Sequence, residues 1–351
     1  MQSAKKHLRQ LSPEELQQWL AAEGEPAYRL RQLQQWLWEK GARSLHQLSN
    51  IPQKLREKLH QHFALEPLEV ELRQQASDGT VKLRFRTHEG LLVEGVLIVT
   101  EERVTACISS QVGCSLTCAF CATGRMGRLR NLRSDEILDQ VHLLREEAQR
   151  LGRQLNNIVY MGMGEPLLNY REVLHSLQVL TAPQGLALSP RRITVSTAGI
   201  AKLMRRLADD GVRVRLALSL HATTDEQRSR IMPINEENNL SAVVSALRYY
   251  QEHTGSRVSF EYILFSNFND TLEDARRLVG LCAQVPMVHV NLIEYNPVPG
   301  LFFEASDAAT TQRFQDFLQR HGIPTTLRRS RGRDIDAACG QLATQGLLHS
   351  S

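Results

Sequence analysis

Three cysteines fall within eight residues, Cys114-Ser115-Leu116-Thr117-Cys118-Ala119-Phe120-Cys121. Soft thiolates gathered in one loop suit iron–sulfur chemistry. A four-iron cluster usually takes four thiolates, so three local ones leave one iron open to bind a substrate or cofactor. A zinc site is the competing assignment, but it calls for a fourth Cys or His and favours paired Cys-x-x-Cys spacing. No second pair occurs in the chain. A third alternative, three inert cysteines packed in a core, leaves their clustering unexplained.

Elements able to hold such a loop flank it. Short apolar runs at 104–109, 157–160, 192–195, 213–218, 258–264 and 289–293 read as strands. Segments at 134–150, 170–180, 201–208, 240–253, 272–283 and 308–321 carry apolar residues at helical spacing. Strands alternating with helices imply parallel strands joined by right-handed crossovers. Six such units are too few for a closed eight-fold barrel, so the expected fold is α/β, a partial (β/α)6 barrel. Ligand sites in such sheets lie at the carboxyl ends of the strands. Met161-Gly162-Met163-Gly164-Glu165-Pro166, Ser196-Thr197, Ser219-Leu220-His221-Ala222 and Asn296 all fall at those ends.

The first 66 residues read as a separate helical accessory domain. Ser12-Pro13-Glu14-Glu15 supplies an N-cap, a first-turn proline and acids at the positive end of a helix. A second helix containing Trp36 and Trp38 closes near Gly41, and a third follows Ile51-Pro52. Mixed basic and aromatic residues here fit either an RNA-contacting module or a small core that packs its tryptophans. Residues 67–102 read as a short β extension with a hairpin turn at Ser77-Asp78-Gly79-Thr80, and residues 103–351 as the barrel and a C-terminal segment.

Composition narrows the function classes. Of 351 residues, 42% are hydrophobic and 23% charged, as in a soluble protein with a core. The most apolar stretch, residues 91–100, is interrupted by Glu94 and Gly95 and is far short of the roughly 20 residues a spanning helix needs. No membrane association is expected, and the N-terminus lacks the apolar run of a secretory signal, so a cytoplasmic location is expected. The net charge of +4 permits an acidic partner. Arg125, Arg128, Arg130 and Arg133 directly follow the cysteine loop, and Arg191-Arg192 and the run Arg328 to Arg333 add more positive charge. Arginines at a strand-end mouth suit phosphate contacts. The competing assignment is a solvated basic surface.

Taken together, the cysteine spacing, the strand-end motifs, NLIEYNPVPG at 291–300 and DIDAACGQ at 334–341 resemble the RlmN/Cfr family of radical S-adenosylmethionine (SAM) RNA methyltransferases, most nearly the RlmN type. The resemblance implies that Cys114, Cys118 and Cys121 hold a [4Fe–4S] cluster. It implies SAM contacts at Gly164, Glu165, Ser196, Ser219, Leu220, His221 and Asn296. It further implies that Cys339 carries a methyl taken from one SAM, while a second SAM, reduced at the cluster, yields the radical that activates that methyl for attack on an adenine ring carbon. Glu94 would accept the ring proton, and Cys107 would release the product by forming a transient disulfide with Cys339. Without the resemblance Glu94 is an ordinary strand-face carboxylate, and Cys339, in a glycine-flanked segment expected to be flexible, is a lone thiol. The implied substrate is an adenosine of 23S rRNA, modified at C2, and one beside the tRNA anticodon. An external donor such as flavodoxin or ferredoxin would supply electrons to a monomeric enzyme. The alternatives are C8 methylation, as in the Cfr branch, or methylation of another RNA adenine, a radical-SAM activase or small-molecule enzyme that would leave Cys107 and Cys339 idle, and a non-catalytic RNA-binding protein with a structural metal.

Overall fold

A computed structural model describes residues 5–343. β1 (Lys6–His7) opens an N-terminal module with α1 (Pro13–Ala22), α2 (Tyr28–Gln34) and α3 (Gln53–His62), closed by β2 (Phe63–Ala64) in parallel pairing with β1. Ser12 and Glu15 form a reciprocal capping box at the start of α1. α2 widens into a five-residue π turn, Gln35–Glu39. Leu16, Leu20, Leu33, Leu37, Leu55 and Leu59 form the module's core, and Trp19, Trp36 and Trp38 pack on its edge. The tryptophans therefore have a packing role. A buried ion pair, Arg9 to Asp139 at 2.5 Å, ties the module to the helix at 134–150.

β3 (Glu69–Gln75), β4 (Val81–Arg86) and β5 (Leu92–Val99) form an antiparallel meander. Its first turn falls where Ser77 to Thr80 predict it: Asp78 Oδ1 accepts from the Thr80 amide at 2.9 Å, and Gly79 takes φ +84°. β5 pairs antiparallel with β6 (Val104–Cys107), so the meander continues the barrel sheet as its edge. After β6 come β7 (Gln111–Gly113), the short helix α4 (Ala122–Arg125) and β8 (Arg128–Asn131). β7 and β8 pair as a two-stranded hairpin outside the main sheet.

The repeating units then run α5 (Ser134–Arg150), β9 (Asn157–Tyr160), α6 (Tyr170–Thr181), β10 (Ile193–Thr197), α7 (Ala201–Asp209), β11 (Arg215–Ser219), α8 (Asp225–Ile231), α9 (Leu240–Thr254), β12 (Val258–Leu264), α10 (Leu272–Cys282), β13 (His289–Glu294), α11 (Ala308–Arg320) and β14 (Thr325–Arg328). Among the described residues the sheet order is β14-β13-β12-β11-β10-β9-β6-β5-β4-β3. The run from β6 to β14 is parallel, and β14 and β3 are the two edges, so the barrel stays open.

The six expected parallel strands are present, and β14 adds a seventh. Thr-Thr-Leu-Arg carries too little apolar character to signal a strand alone; it forms because α11 returns the chain beside β13.

Side chains alternate across each strand, and here the two faces differ sharply. Ile158, Tyr160, Val195, Leu216, Leu218, Phe260, Tyr262, Val290 and Leu292 point outward under the helices and are buried. Tyr160 reaches Ser176 on α6 at 2.7 Å, and Tyr262 stacks on Phe314 of α11. The opposite parity faces the concave interior. It is polar and partly accessible: Asn157, Thr194, Ser196, Ser219, Ser259, His289 and Thr326. A closed barrel would fill this space with branched apolar side chains.

Candidate functional site

The cysteine loop leaves β7 and enters α4 at the carboxyl end of the barrel. Backbone hydrogen bonds hold it from three directions: Cys114 N donates to Gly127 O (3.1 Å), Ala119 N to Ile231 O (2.9 Å) and Ala122 N to Gly340 O (2.8 Å). Phe120 plugs the loop down onto the barrel, edge-on to His221 with 5.0 Å between ring centroids and tilted against Phe265.

Burial pushes the Cys114 thiol up to about 11, and it raises Cys118 and Cys121 as well. The charges of Cys121, Cys114 and Glu165 push Cys118 further in the same direction. Such a donor set asks for positive charge, which bound metal would supply while displacing the protons. Among the described residues no three Cys, His, Asp or Glu side chains converge tightly enough to chelate one ion. Three thiols of one loop, each able to bind a different iron, are the donor set that a four-iron cluster would use.

Around the loop the strand-end residues take distinct positions. Glu165 is buried; its oxygens accept from Leu167 N (3.0 Å) and Ala198 N (2.8 Å), which ties the end of β9 to that of β10. Burial raises its carboxyl to about 6, against the pull of those bonds. Each oxygen keeps a lone pair that could accept from an ammonium group. Gly164 precedes it at φ +97°, where a Cβ would lie 2.5 Å from Gln111 Cβ, so only glycine lets the strand end pass β7.

Ser196 and Ser219 face each other across the inner surface, Oγ to Oγ 3.5 Å. Leu220 is buried. His221 sits in the left-handed region at φ +56°, a conformation that costs a non-glycine residue roughly 1–2 kcal/mol. Its surroundings hold it there: Nδ1 accepts from Ile263 N (3.1 Å) and its carbonyl from Asn269 Nδ2 (2.7 Å). Burial lowers the imidazole to about 3. It is therefore neutral, and the bond to Nδ1 places its proton on Nε2. Asn296 donates to the Cys339 carbonyl (3.3 Å) and accepts from Arg333 Nε (3.2 Å).

Cys339 is solvent-accessible at the barrel mouth. Protein surrounds the recess on its other sides, and partial loss of hydration there raises the thiol, with the Arg328 charge acting in the opposite sense. Cys107, buried at the end of β6, is raised by burial and by the neighbouring charge of Cys339. These two cysteines, 232 positions apart in the chain, thus lie within reach of each other's charge, and Cys339 also within reach of Cys121 in the loop.

All six cysteines are free, so the Cys107–Cys339 disulfide is not present in this structure. Nor is the Cys339 segment a loose tether. Gly340 O accepts from Ala122 N, Leu342 O from Thr123 Oγ1 (2.5 Å), and Ala343 N donates to Glu94 Oε2 (3.1 Å). Glu94 is correspondingly far from an ordinary strand-face carboxylate. It is 2% exposed, and burial raises it to about 7 despite Lys82 at 3.8 Å.

The basic run after the loop divides in two. Arg130 forms a bidentate pair with Glu136 and also meets Glu89, and Arg133 pairs with Asp135. Both are held in place by neighbouring acids, which leaves Arg125 and Arg128 exposed. Arg191-Arg192 precedes β10 and lies at the amino end of the strands, away from the mouth.

Arg228 on α8 gave no signal in the sequence. Fully buried, it donates to Leu220 O (3.2 Å), Ser219 O (3.1 Å), Ala198 O (2.5 Å) and Asn235 Oδ1 (2.9 Å), and so fastens the ends of β10 and β11. A short polar helix gives no hint of such burial. Glu261 was missed as well. It is buried on the inner face of β12, accepts from Asn291 Nδ2 (2.8 Å), and lies 3.5 Å from Arg328.

An open α/β barrel that presents a three-cysteine loop at its strand ends defines a radical-SAM protein. Residues 108–279 match the family described as the Radical SAM superfamily, and residues 6–65 match the Ribosomal RNA large subunit methyltransferase N-terminal domain. The chain is 48% identical over 342 residues to "Probable dual-specificity RNA methyltransferase RlmN" of Christiangramia forsetii, covering 97% of each chain. It is 44% identical over 344 residues to "Dual-specificity RNA methyltransferase RlmN" of Anaeromyxobacter dehalogenans, covering 97% of this chain and 92% of that one. A radical SAM methyltransferase crystal structure from Sphaerobacter thermophilus superposes with TM-score 0.90 at 41% identity, over 96% of this chain and 98% of that one.

The chain belongs to the RlmN family of radical-SAM methyltransferases. Its cofactors are a [4Fe–4S] cluster and SAM. No described helix is long and apolar enough to cross a membrane.

Proposed function

We propose that the enzyme methylates C2 of an adenosine in 23S rRNA and of an adenosine beside the tRNA anticodon, using two SAM molecules per turnover. The observation that carries this reading is the convergence of Cys107, Cys339 and the raised carboxyl of Glu94 around one cysteine loop. Plain methyl transfer needs no such set.

Cys114, Cys118 and Cys121 would hold the cluster. With SAM bound it supplies one-electron cleavage of a carbon–sulfur bond, and hence a radical able to remove hydrogen from a methyl group. Glu165, Ser196, Ser219, Leu220, His221 and Asn296 line the strand ends beside the loop and orient SAM.

Cys339 is the methyl carrier. As a thiolate it displaces the methyl from the first SAM sulfonium and holds it as a thioether. Once that carbon has added to the adenine, Glu94 accepts the ring proton, and the adduct's unpaired electron would return to the cluster held by Cys114, Cys118 and Cys121. A carboxyl near 7 is poised for such a proton transfer. The Cys107 thiolate then attacks the Cys339 sulfur. An S–S bond forms, and the carbon leaves with its electron pair, takes a proton and departs as the product methyl.

The helical module at 1–66 contacts the RNA, the protein acts as a cytoplasmic monomer, and a flavodoxin- or ferredoxin-type donor supplies electrons. A base reaching this site must be unstacked, which favours loops or remodelled RNA. Mass mapping of rRNA and tRNA from a deletion strain, with and without this protein, tests the assignment. A C2-methyladenosine restored in both RNAs is expected. A methyl at C8, or in neither RNA, refutes it.

A further inference from the structure

The inner face of the barrel does not end at the cysteines. Followed down each strand by steps of two residues, it leads from Cys107 through Thr105 to Arg103, from Ser196 through Thr194 to Arg192, from Ser219 through Ala217 to Arg215, and from Glu261 through Ser259 to Arg257. Arg215 opens β11, and Arg103, Arg192 and Arg257 each stand one residue before β6, β10 and β12, so the four step along one rim, with Arg103 lowest because Thr105 is level with Asn157. Leu216 pairs with Val258, so Arg215 and Arg257 are level; Thr194 pairs with Arg215, and Ile193 with Ile158, so Arg192 stands one step lower beside Asn157. Arg192 donates to Asn157 Oδ1 at 3.5 Å.

The four are close enough to act on one another. Burial lowers the Arg215 guanidinium, and the like charges of Arg257, Arg192 and Arg103 lower it further, with no carboxylate among the charges that reach it. All four are exposed. The contrast with Arg130 and Arg133 is direct, because those two are neutralised by Glu136 and Asp135. Like charges gathered without counter-ions repel and destabilise the fold, so the cluster needs another reason to persist. A polyanion bound there would remove the repulsion. Four residues of strand span about 13 Å, so the rim lies about that far below the serines and the cysteines. The wall between carries the partly accessible Thr105, Thr194, Ser259 and Asn157, with Val159 and the buried Ala217 among them.

We infer that this amino-end rim, Arg103, Arg192, Arg215 and Arg257, is a phosphate-binding site for the RNA strand flanking the target adenosine, whose base reaches the cysteines along the concave inner face. The inference rests on the RNA-methyltransferase reading above and adds where the substrate backbone is held. It sets the open interior, rather than the Arg125 to Arg133 run alone, as the path of approach.

The test uses the full-length enzyme and two probes: a transcribed stem-loop with an unmodified loop adenosine, and 23S rRNA from a deletion strain. Binding is measured for the wild type, an Arg215→Ala/Arg257→Ala double variant and an Arg313→Ala control on α11, across a salt series. Each lost phosphate contact flattens the plot of log affinity against log salt by about 0.7–0.9. The double variant should therefore lose about 1.5 of slope and at least tenfold in affinity, and its KM for RNA should rise far more than its kcat falls. Arg313→Ala should bind as the wild type does. Because two mutually repelling charges are removed, the thermal midpoint of the double variant is expected at or above that of the wild type, so weaker binding is not lost folding. Unchanged slope and affinity in the double variant, with tight wild-type binding, overturn the rim and leave the RNA reading standing. Failure of the wild type to bind either probe strikes the RNA reading itself.

Discussion

Replacing Glu94 by Gln removes one buried titration, and the structure fixes the sign and size of the result. The carboxyl moves from about 4.5 in the unfolded chain to about 7 in the folded protein, chiefly because burial disfavours the charged form. A raised carboxyl binds its proton more tightly when folded. Its contribution to stability is complete below about pH 4.5 and fades as pH rises through about 7. Between pH 5.5 and 8.5 the loss integrates to about 2 kcal/mol, from a shift of about 2.5 pH units at 1.36 kcal/mol each, most of which falls inside that window. Wild type should therefore lose about 2 kcal/mol more than Glu94→Gln between those pH values, as read from urea unfolding followed by far-ultraviolet circular dichroism. Activity should move the opposite way. Only the ionised carboxylate accepts a proton, so wild-type turnover should climb through about pH 7, and the Gln variant should lack that limb. Parallel stability curves for the two proteins would refute the burial argument, and an unchanged pH–rate limb in Glu94→Gln would remove the residue from proton transfer.

Two further outcomes are expected. Ala at any of Cys114, Cys118 or Cys121 should abolish cluster absorbance and iron content after anaerobic reconstitution; full iron loading of a single variant, or stoichiometric zinc in place of iron in the wild type, would refute the assignment. Cys339→Ala should form no covalent RNA adduct, whereas Cys107→Ala should stall as one, visible as a ribonuclease-sensitive band on a denaturing gel. Equal turnover by Cys107→Ala and wild type would remove Cys107 from product release.

Much of the barrel was legible because its signals are local. The runs at 157–160 and 258–264 fall on strands with those bounds, and 134–150 on a helix with its own. What escaped depends on distant partners. β14 exists through its pairing with β13, and the β7–β8 hairpin has arms of three and four residues, too short for a periodic pattern. Arg228 is buried because carbonyls from two strand ends point at it, which no pattern within α8 records. Glu94 owes one hydrogen bond to Ala343, 249 positions away. The neutralisation of Arg133 was the one missed feature with a local sign, since Asp135 and Glu136 follow almost at once and open α5. The cysteine loop was legible because its spacing alone carries the chemistry; the Cys107–Cys339 neighbourhood was legible only through the family resemblance.

The C-terminal segment explains why the meander at 69–99 is part of this catalyst. Gly332 N donates to Asp78 Oδ2 (3.0 Å) and Ser77 N to Asp334 Oδ2 (2.9 Å), so the β3–β4 turn grips the segment before it reaches Cys339. Lys82 on β4 reaches the Asp336 carbonyl at 3.3 Å and faces Glu94 at 3.8 Å, linking the same strands to both the segment and Glu94. Beyond Cys339 the chain meets α4, then Glu94. In the mechanism proposed above, Cys339 would serve two positions in turn, one facing the methyl donor and one facing the adenine, and then meet Cys107 with Cα atoms roughly 4.4–6.8 Å apart. Tethers on both sides confine that travel to the few residues around Gly340, whose φ of +83° already departs from what other residues adopt. The barrel supplies Cys107 and the cysteine loop, and the antiparallel edge supplies Glu94 and the anchor for the segment that carries Cys339. Neither half of the sheet could place all of these groups alone.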